Sequence, residues 1–228
     1  MARTARVIAV RYPHHVLQRG NFGAPVFMND EDRSTYLERL RTCAKENKLE
    51  VLAYCLMQNH IHIVAVPKQE ESLAMALRRT HSFYSRYLNS RLDRVGHVWQ
   101  NRFYSCPVDK DKVWPLVKYV EQNPVRAGLV KDPWEYRWSS APAHCGLTDD
   151  PLLAKNWPPK GAVEDWKAFL KTDLPEDEVE AVRRSTIRGQ VWGGKAFIER
   201  LEKKLERPVG PRRIGRPPKA DKSKRPSP

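Results

Sequence analysis

The sequence predicts an α+β fold: a split βαβ sandwich with an antiparallel sheet, followed by a helical and disordered basic C-terminal extension. Three observations predict it. Stretches of strand-like alternation and stretches of three-and-four apolar spacing succeed one another in the order βαββαβα. Gly, Asn and Pro signals punctuate the joints between them. Beyond about residue 145 prolines cluster and strand patterns cease.

The first strand is His14-His15-Val16-Leu17-Gln18-Arg19, halted by Gly20-Asn21. Tyr36, Leu37, Leu40 and Ala44 then recur at helical spacing, with Asp30 or Asp32 as the N-cap. Residues 50–57 and 60–66 are rich in Val, Ile and Leu and read as two strands joined at Gln58-Asn59 and ended by Pro67. A second helix covers 72–88, turning Leu73, Ala76, Leu77, Phe83, Tyr84 and Tyr87 inward and Arg78, Arg79 and Arg86 outward. Gly96 opens an aromatic fourth strand over 97–105. Asp109 or Asp111 caps a third helix that runs to Gln122, with Pro115 in its first turn and Pro124 ending it.

These elements fill a domain of residues 1–145. Residues 146–206 read as a linker with short helices, the last over 195–206. The tail, 207–228, holds eight basic residues, one acidic residue and six prolines, cannot bury a core and is expected to be disordered alone.

Charge points to the partner. Among 228 residues, 41 are Lys or Arg against 27 Asp or Glu, a net +14 that favours a polyanion, nucleic acid first. No apolar run approaches the roughly 18 residues of a membrane span. The apolar stretch from Val7 to Val10 is cut by Arg11 and is too short for a secretory signal, so a cytoplasmic location is expected. Cys43, Cys55, Cys106 and Cys145 show no CxxC pairing and read as reduced thiols.

Chemistry concentrates at two places. On a strand, His60 and His62 share one face while Ile61 takes the other, so two imidazoles can hold one metal ion. On a helix, Tyr119 and Asn123 share a face four residues apart. The phenol can attack phosphorus and the amide oxygen can serve as a hard ligand. Each pattern alone also fits ordinary surface or packing residues. Trp99, Gln100 and Arg102 combine π faces with donors suited to unpaired bases and phosphates, although core packing explains Trp99 equally well. Arg19, Arg78, Arg79 and Arg126 are candidate contacts to the DNA backbone.

Taken together, Tyr54-Cys-Leu-Met-Gln-Asn-His-Ile-His-Ile-Val, Gly96-His-Val-Trp-Gln-Asn-Arg-Phe, Tyr119-Val-Glu-Gln-Asn-Pro-Val-Arg-Ala-Gly-Leu-Val and Trp134-Glu-Tyr-Arg-Trp-Ser-Ser resemble the REP-associated tyrosine transposases. These are relatives of the single-tyrosine HUH transposases. The resemblance spans about residues 6–142. It implies a ferredoxin-like sheet, His60 and His62 as metal ligands, Asn123 as the third ligand, Tyr119 as nucleophile, and Mg2+ or Mn2+ as cofactor. The implied partners are single-stranded DNA and palindromic hairpins, cut or rejoined through a phosphotyrosine in the nucleoid. The group is expected to act as a monomer, with a dimer as the alternative. A catalytically idle, hairpin-binding regulator is the alternative function. Gly215-Arg216-Pro217 resembles an AT-hook core, with Ile214 where that hook has arginine, so Arg212, Arg213, Arg216 and Lys219 are read as general phosphate anchors.

Overall fold

The computed structural model describes residues 5–159 and 161–210. Four strands, β1 (His14–Arg19), β2 (Leu49–Leu56), β3 (His60–Pro67) and β4 (Tyr104–Pro107), form one sheet in the order β2-β3-β1-β4, every neighbouring pair antiparallel. Two helices, α1 (Asp30–Glu46) and α2 (Ser72–Arg91), serve as the crossovers. This is the predicted α+β sandwich.

Alternation along the strands divides the side chains between two cores. Val16, Ile61 and Ile63 pack against Tyr36 and Leu40 of α1 and Leu77 and Tyr84 of α2. The other face carries Cys55, Val64 and Cys106, covered by α3 (Val113–Glu121), α6 (Trp166–Lys171) and α7 (Glu176–Arg188). The short α4 (Asn123–Arg126) and α5 (Ala141–His144) follow α3. Each fully buried Leu, Ile or Val contributes roughly 1.5–3 kcal/mol of apolar transfer free energy, so both faces are needed to hold the sheet. No helix is long and apolar enough to cross a membrane among the described residues.

Several boundaries differ from expectation for local reasons. Asn29, rather than Asp30 or Asp32, caps α1, and Asp32 answers it as the reciprocal member of a capping box. Residues 97–103 form no strand. Gly96 and Asn101 take positive φ values of 107° and 55°, and the bends turn Trp99 and Phe103 into the α1–α2 core. Pro124 does not simply end the third helix, because it sits in the first turn of α4, where its missing N–H costs nothing.

Residues 146–206 supply more than short connections. In α7, Val179, Val182 and Thr186 are buried at three- and four-residue spacing, and Gly189 closes the helix in the left-handed region at φ 62°. A final helix, α8 (Lys195–Leu205), packs Phe197 and Leu201 with Val7, Ala9 and Val209. Arg207, at the start of the predicted tail, donates to the carbonyls of Ala5 and Arg6, so residues 207–210 are packed rather than free.

α3 is anchored by Glu121, which is fully buried. Its carboxylate accepts from Ser140 Oγ, from His144 Nδ1 at 2.6 Å and from Trp166 Nε1 at 2.9 Å. Glu121→Ala strands these donors, and breaking such a buried pair is expected to lower stability by about 3–5 kcal/mol. Urea denaturation measures it; a loss under about 1 kcal/mol, the scale of an exposed pair, contradicts the anchoring role.

Candidate active site

The sheet face under α3 and α7 gathers the residues singled out in the sequence. His60 and His62 point to it from β3, while Ile61 enters the opposite core. Register sets Arg19 opposite His60, Leu17 opposite His62, and His15 opposite Val64. α3 lays the Tyr119 ring edge-on to His62 and His15, with centroids 5.6 and 5.7 Å apart, while the His60 and His62 rings lie 5.0 Å apart. Together with Arg19, Asn123, Arg126, Arg183 and Thr186 they line a cavity of about 330 Å³.

Hydrogen bonds specify how each group faces that cavity. Asn123 Nδ2 donates to the carbonyls of Tyr119 and Val120 at 2.9 and 3.2 Å, which leaves Oδ1 for an outside partner. Arg126 donates to the Tyr119 carbonyl and stacks its guanidinium 4.6 Å from the Tyr119 ring centre, holding a cation beside the phenol. His60 Nδ1 lies 2.7 Å from Asn59 Oδ1, and Asn59 Nδ2 donates to the Gly23 carbonyl. The oxygen of Asn59 is therefore the acceptor, so His60 carries its proton on Nδ1 and keeps a lone pair on Nε2. His62 Nδ1 is likewise engaged, 2.9 Å from His15 Nε2.

Burial keeps these imidazoles neutral. It pushes His60 down to about 4, with Arg19 adding to the shift. His62 falls well below its ordinary value through burial and then through His15, His60, Arg126 and Arg19. Burial alone lowers His15 to about 3. A neutral imidazole is the form that donates a lone pair. Among the described residues no group of three or more His, Cys, Asp and Glu side chains is disposed to hold a metal.

The remaining predicted contacts are spread out. Trp99 is a core residue, in contact with Tyr36, Tyr84 and His81 and donating its indole N–H to the His81 carbonyl, so its face is closed to a nucleic-acid base. Arg78 and Arg79 lie on α2, in the layer beyond the opposite face of the sheet, and Arg79 pairs with Glu46 at 3.1 Å. The Gln100 backbone N–H donates to the Arg19 carbonyl at the end of β1. Arg102 lines a second cavity of about 420 Å³ with Arg6 and Arg188, and this cavity shares Thr186 and Ile187 with the first. Arg212, Arg213, Arg216 and Lys219 lie outside the described residues.

His15, Arg183 and Thr186 were not among the predicted site residues. His15 stood in a predicted strand, but local spacing gives no sign of which strand lies beside it. Thr186 is 171 positions away from it in the sequence.

A solved structure described as a REP-associated tyrosine transposase bound to a REP hairpin superposes with a TM-score of 0.54 at 16% identity, covering 68% of this chain and 92% of that one. A putative transposase from Deinococcus radiodurans R1 matches at a TM-score of 0.37 and 16% identity over 53% of this chain and 97% of that one. No curated protein matches the chain. The family model for IS200-like transposases matches residues 9–123, half of the chain and the whole stretch from β1 to Asn123. With both histidines, the tyrosine and the asparagine inside that match, the chain belongs to the IS200-like transposase family, enzymes that act on DNA.

Proposed function

We propose that the protein is a divalent-metal-dependent endonuclease and strand transferase for single-stranded DNA at REP-like palindromic hairpins, acting through a covalent phosphotyrosine on Tyr119. The observation that carries this reading is the edge-on approach of Tyr119 to His62 within one chain, over a cavity that also holds His60 and Asn123. Because nucleophile and histidines meet in a single chain, the reading does not call on a second copy to complete the site, which favours a working monomer.

The donors fit Mg2+ or Mn2+. Two neutral imidazoles and one amide oxygen face a common cavity, an N/O set that leaves positions open for phosphate oxygens. A bound divalent ion would supply Lewis-acid polarisation of the scissile phosphate. The chain supplies the rest. Tyr119 Oη forms a bond to phosphorus as the P–O3′ bond breaks, the phenolic proton passes to water, and the departing 3′ oxygen takes a proton from water. The downstream fragment stays attached through its 5′ phosphate, and the upstream fragment leaves with a 3′-hydroxyl. Attack by a 3′-hydroxyl on the phosphotyrosine reverses the exchange and joins strands. Arg126 and Arg19 place positive charge where the phosphorane's charge develops.

The test uses the full chain, Mn2+ and a panel of hairpin oligonucleotides with single-stranded flanks, labelled at the 3′ end. Label that stays with denatured protein is the expected result. No adduct over the panel moves the assignment to a hairpin-binding regulator.

The second cavity gives the strand an exit. Arg102 and Arg188 are exposed, and no salt bridge engages either among the described residues. Arg102→Glu with Arg188→Glu is expected to weaken oligothymidylate binding and to reduce the log-log salt slope by roughly 0.7 for each phosphate that is no longer neutralised. Unchanged affinity and slope in a fluorescence-anisotropy titration would remove this path.

A further inference from the structure

We infer that Thr186 of α7, acting through His15, sets the tautomer of His62 and so presents the His62 Nε2 lone pair to the cavity. Neither residue is among the proposed metal ligands or the nucleophile, and Thr186 lies beyond the residues matched by the family model.

Thr186 Oγ1 donates to the Val182 carbonyl at 2.8 Å, the usual back-bond of a buried helical threonine. With its hydrogen committed there, the oxygen accepts from His15 Nδ1 at 2.6 Å. Cys106 Sγ, 3.4 Å away, then acts as a second donor to it. His15 is neutral and has one ring proton, now on Nδ1, so His15 Nε2 is an acceptor. His62 Nδ1, 2.9 Å away, supplies the donor, and His62 Nε2 is left bare. The two rings are parallel within 2°, with centroids 5.1 Å apart, a separation that accommodates the 2.9 Å contact end to end.

The opposite polarity is disfavoured at both ends. If the Thr186 hydroxyl pointed to His15 Nδ1, every proton in the chain would move over by one site. His62 would then turn an N–H into a cavity lined by Arg19, Arg126 and Arg183. Three guanidiniums favour a lone pair there, not a partial positive charge. No net charge changes between the two states, so the device sets direction and not protonation. His60 is set in the same sense by Asn59, so both histidines offer the same ring nitrogen. Partners behind metal-ligating imidazoles typically tune affinity about 10- to 100-fold.

The decisive measurement is 15N NMR of the histidine side chains in the metal-free, DNA-free full chain. The expected result is His62 protonated on Nδ1 and bare on Nε2; a proton on Nε2 overturns the inference with no variant needed. This arm is independent of the proposed nuclease function. A second arm rests on that function's metal role. Thr186→Val keeps the shape and removes the hydroxyl, and should weaken Mn2+ binding about 10-fold or more while shifting the His62 proton toward Nε2. Thr186→Ser should restore both. Wild-type Mn2+ affinity and tautomer in a folded Thr186→Val protein contradict the inference. Should that variant not fold, the wild-type tautomer and the serine variant decide. A correct tautomer without any DNA adduct would instead count against the nuclease reading alone.

Discussion

His60→Ala combined with His62→Ala is expected to abolish metal-dependent cleavage while hairpin binding persists. Removing both imidazoles takes away the nitrogen ligands, and Asn123 alone offers a single neutral oxygen. Lewis-acid stabilisation of a phosphoryl transition state is worth several kcal/mol. At about 1.4 kcal/mol per tenfold, the loss is roughly a thousandfold or more. His62 is 3% exposed and bonded to His15, so its truncation also leaves a buried acceptor unsatisfied at about 1–3 kcal/mol. A thermal melt separates that cost from chemistry, and His60→Ala alone, at a half-buried position, keeps the His15 bond intact. Full cleavage by the folded double variant at controlled Mn2+ would rule out the two-histidine mechanism.

Tyr119→Phe is expected to bind hairpins as the wild type does and to form no covalent adduct. Phenylalanine retains the ring that packs edge-on against His15 and His62 and beneath the Arg126 guanidinium, so the fold loses only an oxygen. That oxygen is the attacking atom, and no other group replaces it in line. Cleavage at the wild-type rate would move the nucleophile elsewhere, with Tyr104 the next candidate. Tyr104 lines the neighbouring cavity on β4 and not the one that holds the histidines.

The parts of this architecture legible in the sequence are those that local spacing controls. β1 and β3 show their alternation because each has one face on each core, and α2 shows its apolar face because that face is broad. His60, His62, Tyr119 and Asn123 were readable as same-face pairs, and the resemblance to the REP-associated group agrees with the family match. Residues 97–103 misled because aromatic content mimics a strand, whereas backbone bends at Gly96 and Asn101 decide their path. Trp99 was ambiguous for the same reason, since an indole suits a core as well as a base.

What lay beyond reach was contact across long separations. The pairing of His15 with Thr186 depends on α7 lying over β1 and β4, and the proline-rich stretch before it hid a helix whose own pattern is regular. Val179, Val182 and Thr186 followed by Gly189 form a helix-and-stop signature, so α7 could have been found. Its docking partner could not, because a threonine on a helix face carries no mark of the histidine it meets.

Site-mapping of the covalent product distinguishes Tyr119 from every other point of attachment. The full chain is incubated with Mn2+ and a cleavable hairpin, digested with trypsin after nuclease trimming, and read by mass spectrometry. A residual nucleotide is expected on the peptide of residues 119–126, attached by its 5′ phosphate to Tyr119, with an equimolar upstream fragment ending in a 3′-hydroxyl. A nucleotide on any other peptide, or cleavage into two fragments with none attached to protein, would contradict it.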